Sequence, residues 1–241
     1  MIRRVALVLV LGMLGACSRP ASNEPSPTPT AAPSRGPSAA AQFVLYQQMV
    51  DAGSAELAVP LGDEILAKFP DSTEAAKVRE SIETLRAKAT ADTESRRLSR
   101  LWAYQVAPMG GGQQSTASIN ARDAEAAGRE RVRLVLRRHT EWGESVFLYG
   151  NEPGFSCAKA CRISMQFDDA PKRTLAASIP PTGEPAIFIE DDKVFVAALQ
   201  KARAVSIDVT EKGRAPRTLV FEVGGFDAAK FEPTPTTRRK K

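Results

Sequence analysis

The sequence predicts an α+β chain of several parts: an N-terminal α-helical hairpin, then an antiparallel β-sandwich carrying one short helix. Three observations support this. Between residues 42 and 100 apolar residues recur in steps of three and four, the period of one helix face. From 101 to 231 they alternate in short runs separated by turn residues, the period of half-buried strands. Between Ser18 and Ala41 the chain is mostly Pro, Ser, Thr and Ala, with too little apolar bulk to offset the entropy of ordering it.

The first residues are an export signal by composition. Met1-Ile2-Arg3-Arg4 is basic, and Val5 to Ala16 is an apolar run broken only by Gly12 and Gly15. Such a run is too short to span roughly 30 Å of hydrocarbon, which takes about 20 helical residues, but it has signal-peptide length. It ends in Leu14-Gly15-Ala16-Cys17, which resembles the lipobox of bacterial lipoproteins. That resemblance implies cleavage after residue 16 and a diacylglycerol on the Cys17 thiol. By the enterobacterial sorting rule, Ser18 in place of aspartate implies the outer membrane. The expected parts are therefore a signal peptide at 1–16, a disordered tether at 17–41, a helical module at 42–100, a β-sandwich at 101–231 and a basic tail at 232–241. A proline-rich tether of roughly 24 residues at about 3 Å each reaches up to about 70 Å from the bilayer. The lipid is the expected membrane contact.

In the helical module Phe43, Tyr46 and Val50 form one stripe, which Gly53 ends. Ser54 is placed to cap a second helix bearing Leu57, Leu61 and Ile65, in which Pro60 should cause a kink or a late start. Asp71-Ser72 caps a third, with Ala75, Val78, Ile82, Leu85 and Ala89 on one face. The string Glu64 to Val78, centred on Leu66-Ala67-Lys68-Phe69-Pro70-Asp71-Ser72, is similar to tetratricopeptide-type repeats of periplasmic and outer-membrane assembly lipoproteins. That likeness implies a peptide-binding groove. A small helical hairpin packed on its neighbour accounts for the same residues.

Eight strands are expected in the C-terminal part: 101–106, 131–139, 145–149, 161–167, 173–178, 186–189, 204–210 and 217–223, with a helix over 192–202. Met109 to Gln114 reads as a Gly-rich loop. The Trp142-Gly143-Glu144-Ser145-Val146-Phe147-Leu148 start, the closely spaced cysteines and the closing Phe221-Glu222-Val223-Gly224-Gly225-Phe226-Asp227 resemble periplasmic β-sandwich proteins of the invasion-associated protein B and TagO-like families. Those resemblances bring no catalytic residues with them.

Charge and chemistry narrow the function. The formal net charge is +5, and losing Arg3 and Arg4 with the signal leaves +3, part of it in Arg238-Arg239-Lys240-Lys241. So small an excess, on an exported chain, speaks against nucleic acid. With Cys17 lipidated, Cys157 and Cys161 remain, an even pair in an oxidising compartment, and read as a structural disulfide. Their spacing is one residue too long for a thioredoxin-type redox pair, and zinc lacks ligands because His139 is the sole histidine. His139 is expected to be a partly exposed strand-end residue, poorly supported as a general base. Met109-Gly110-Gly111-Gly112 lacks the Lys-Ser/Thr of a phosphate loop. Asp168-Asp169 and Glu190-Asp191-Asp192 are acidic turns, with Asp191 or Asp192 capping the short helix. No cofactor or metal is expected. Arg131, Arg133 and Arg137 share strand parity, with Arg138 and Arg162 near, and form a basic strip that either binds an acidic partner or is simply solvated. The expectation is a non-enzymatic, lipid-anchored binding or accessory protein of the periplasm, with a cell-wall or lipid hydrolase as the rival reading.

Overall fold

The computed structural model describes residues 36–122, 131–158 and 161–231. Cys17, the signal and tether up to residue 35, and the basic tail lie outside these residues.

Three helices open the described chain at the three apolar stripes, one more than a two-helix hairpin holds: α1 (Ala39–Asp51), α2 (Ala55–Lys68) and α3 (Thr73–Ser99). Helix α1 begins within the expected tether, because Ser38 caps it and accepts the Ala41 N–H at 3.3 Å. It ends in a Schellman turn. Gly53 sits at φ +69°, and the N–H groups of Gly53 and Ser54 donate to the carbonyls of Val50 and Met49. Helix α2 starts at Ala55 with Pro60 inside it, so the proline does not delay the helix, and Ser54 makes no side-chain cap. Ser72 does cap α3, accepting the Ala75 N–H at 3.1 Å. Tyr46, Ala58, Ile65, Ala75, Val78 and Ile82 are buried together between the three helices, with the Tyr46 hydroxyl 2.6 Å from Ser81 Oγ.

Ser38–Lys241 forms one compact unit by backbone contacts, so helices and strands share it. The end of α3 is pinned to the strands. Leu98 and Trp102 are buried, and the Trp102 indole donates to the Val223 carbonyl at 3.3 Å. A Cβ on Gly225 would run into the backbone of Leu98 and Ser99, so glycine is required there. Arg97 pairs with both Glu94 and Glu222, which raises its pKa and lowers theirs.

Nine strands follow, all antiparallel: β1 (Ala103–Met109), β2 (Gly112–Asn120), β3 (Arg133–His139), β4 (Gly143–Tyr149), β5 (Arg162–Phe167), β6 (Arg173–Ser178), β7 (Ala186–Ile189), β8 (Val205–Val209) and β9 (Arg217–Phe221). Their order is β1-β2-β3-β4-β7-β6-β5-β8-β9. The sheet folds over a single core shared by Leu134, Leu136, Val146 and Leu148 on one side and Ile163, Met165, Ile207 and Phe221 on the other. The Arg122 N–H donates to the Val220 carbonyl at 2.8 Å, joining the two ends of the fold. Helix α4 (Asp192–Leu199) adds Phe195, Val196 and Leu199 to the core, and the final turn α5 (Ala228–Phe231) adds Phe231. Among the described residues no helix is long and apolar enough to cross a membrane.

The strand missing from the sequence reading is β2. The Gly-rich stretch is not a loop but a two-residue hairpin: Gly110 and Gly111 both take positive φ, 54° and 86°, and Met109 pairs with Gly112. Positive φ at both central positions suits the type I′ turn that matches strand twist.

Candidate functional site

The outer face of β2, β3, β4 and β7 gathers the functional candidates. Alternation along β3 sends Leu134 and Leu136 into the core and Arg133, Val135 and Arg137 outward. Pairing then fixes the neighbours of each. Arg133 stands opposite Tyr149, Val135 opposite Phe147, and Arg137 opposite Ser145 on β4; Phe147 in turn stands opposite Phe188 on β7.

The rings and guanidinium groups interlock. Phe147 and Phe188 have centroids 4.8 Å apart, and the Arg137 guanidinium lies over both, 5.5 and 5.9 Å from their centres. Arg133 lies 5.4 Å from the centre of the Tyr149 ring. Each such cation–ring contact contributes on the order of 0.5–1 kcal/mol at a partly solvated site. Arg137 Nε donates to Ser145 Oγ at 2.9 Å. Its two terminal nitrogens carry no hydrogen bond to a described residue, and no described carboxylate pairs with it. Burial pulls the pKa of this guanidinium below its ordinary value, since desolvation opposes charge and nothing negative compensates. The arrangement therefore presents two cations against aromatic rings, with the terminal donors of Arg137 free, which suits an anionic group.

The other arginines do not join this face. Arg131 precedes β3 and lines a separate cavity of about 240 Å³ with Asn120, Arg122 and Glu222. Arg138 has the opposite parity, pairing with Glu144 at 2.7 Å and lying 4.7 Å from the Phe231 ring centre. Arg162 is on β5 and donates to the Thr174 carbonyl at 2.9 Å. Phe147, Tyr149 and Phe188 were absent from the sequence reading of the site. Their signal is Val146-Phe147-Leu148-Tyr149 and Ile187-Phe188-Ile189, apolar on both strand faces where a solvated outer face would be polar.

The remaining candidates serve the fold. His139 is not partly exposed but buried, 4% accessible, because both ring nitrogens find partners in the turns around it. Nε2 lies 2.8 Å from the Met109 carbonyl, while Nδ1 accepts the N–H groups of Glu141 and Trp142, both at 3.2 Å. These partners place the proton on Nε2. The ring stacks on Trp142 at 3.7 Å and so locks the β1–β2 and β3–β4 turns together. Cys157 and Cys161 have their sulfurs joined, with Cα atoms 5.4 Å apart, a separation usual for disulfides. Asp168 accepts the N–H groups of Arg203 and Ala204 at 2.9 and 2.8 Å, holding a turn, while Asp169 is exposed. Glu190 accepts from Ser178 Oγ. Asp191 makes no side-chain cap on α4, and Asp192 accepts only the adjacent Lys193 N–H at 2.6 Å. Among the described residues no three His, Cys, Asp or Glu side chains gather as a metal site would require.

No family model matches the chain, and no curated protein matches it. Among solved structures, invasion associated protein B from Bartonella henselae is similar at 20% identity, over 54% of this chain and 87% of that one, with a TM-score of 0.38. No residue role is carried over from it.

Proposed function

We propose that this chain is a lipoprotein of the bacterial outer membrane, held by lipid on Cys17 and facing the periplasm, that acts as a non-enzymatic accessory by binding another envelope protein. The observation that carries the binding part is Arg137: a half-buried guanidinium, seated on two phenyl rings, with no described carboxylate beside it. Surface arginines that only solvate a sheet keep their heads in water. This one is desolvated and aimed, as charged anchors at interfaces are. Anchoring through Cys17 rests on the lipobox resemblance, and the helical module's likeness to tetratricopeptide repeats makes it a second binding surface within the same reading.

The test is chemical cross-linking in intact cells that express the full chain or its Arg137→Gln variant. The reading expects a discrete envelope protein cross-linked to the wild type and depleted at least fivefold with the variant at equal abundance. It also expects palmitate incorporation that disappears in Cys17→Ser. Equal cross-linking by both proteins overturns the binding face, and a Cys17→Ser chain that still labels overturns the anchor.

A further inference from the structure

We infer that the ligand of the β3–β4–β7 face is an extended acidic peptide segment of the partner, with one carboxylate on Arg137 and a second, four residues away, on Arg133. This deepens the reading of that face as the binding surface and rests on it.

The chemistry follows from what is left free. A guanidinium group lies against each of Phe147, Phe188 and Tyr149, which reduces the ring surface on which a sugar or a base could stack. What points outward is the fork of N–H donors on Arg137, which matches the two oxygens of a carboxylate. An apolar partner would bury that charge without compensation, which is strongly unfavourable. A membrane surface meets fully exposed cations first, whereas Arg137 is half-buried and held against two rings.

The spacing sets the ligand's shape. Arg133 and Arg137 are four residues apart on one strand, about 13 Å at roughly 3.3 Å per residue, with the buried Val135 between them. An extended peptide repeats its side chains on one side every second residue, so acids at positions i and i+4 have the same separation. A small apolar residue at i+2 then lies over Val135 and its neighbour Phe147. A helical peptide brings i and i+4 within about 6 Å of each other and cannot reach both arginines.

The probe is a fluorescent peptide, Thr-Thr-Glu-Thr-Val-Thr-Glu-Thr-Thr, titrated with the full chain in detergent and read by anisotropy. The inference expects saturable binding that weakens about tenfold when both glutamates are glutamine, and about tenfold in Arg137→Gln. Arg133→Gln should weaken it less, because its guanidinium is more solvated, and moving one glutamate to i+3 should weaken it as much as removing it. Thermal unfolding of each variant shows that the fold is kept. Equal binding of the glutamate and glutamine peptides overturns the inference, as does binding of phosphatidylglycerol vesicles, but not of the peptide, that depends on Arg137. If cross-linking in cells depends on Arg137 while the peptide does not bind, the acidic-peptide inference falls and the binding face stands. If cross-linking is indifferent to Arg137, both fall.

Discussion

Two charged patches lie on the outer surface of the same sheet and differ in how their charges are settled. On β8, Asp208 is enclosed by partners: Lys172 at 2.8 Å and the Thr218 hydroxyl at 2.6 Å, and these hold its carboxyl below the usual pKa range. On β3, Arg137 has a serine hydroxyl and two rings, and burial lowers its pKa instead of a partner raising it. A charge used to hold strands together finds its counter-charge within the chain. On the proposed reading Arg137 is kept for a ligand, positioned by neutral groups and left uncompensated, at some cost in stability. Arg97, bound to both Glu94 and Glu222 where α3 meets the sheet, belongs with Asp208 in this respect.

The largest break in the comparison comes from removing the platform under Arg137. Phe147→Ala deletes a half-buried ring packed at a tilt against Phe188 and should lower the unfolding free energy by about 2 kcal/mol in urea. It should also weaken the acidic peptide about tenfold, because the guanidinium is no longer held. Stability loss with unchanged peptide affinity would show that the rings serve packing alone.

The β3 side of this comparison was legible in the sequence and much of its surroundings was not. Val132, Leu134 and Leu136 against Arg133 and Arg137 give a clean alternation, which the structure keeps. Strand β2 escaped because its inward residues are Ser115, Ala117 and Ile119: two are too small to register as an apolar run, although all three are buried. Its hairpin escaped because a run of glycines reads as a loop, when two positive-φ positions between strands are the stronger signal. The burial of His139 depends on Met109, thirty residues earlier, and on two turn N–H groups, none of which composition reveals. The site's aromatic half depends on β4 pairing with β7, a contact between strands that are not consecutive. Apolar residues on both faces of 146–149 and 187–189 signal that both faces are covered, but not by what.

A smaller effect sharpens the contrast from the other side. Asp208→Asn should reduce stability at neutral pH by less than about 1 kcal/mol, as for exposed pairs, and should leave peptide affinity unchanged. The pH dependence has a definite sign. Because the folded carboxyl has a lowered pKa, its contribution is full above the ordinary carboxylate pKa and is lost as pH falls through the lowered one. The gap between wild type and Asp208→Asn in urea unfolding should therefore be present at pH 7 and close as pH falls below the ordinary carboxylate range. A gap that persists in acid would mean that shape, not charge, holds this patch.

The most direct measurement is the stability of Arg137→Met, which keeps the side chain's bulk over Phe147 and Phe188 while removing its charge. If Arg137 is held for a ligand, the urea midpoint should stay the same or rise, while affinity for the acidic peptide falls at least tenfold. A loss of more than about 1 kcal/mol in unfolding free energy, with peptide affinity kept, would instead place Arg137 beside Asp208 as a charge that serves the fold.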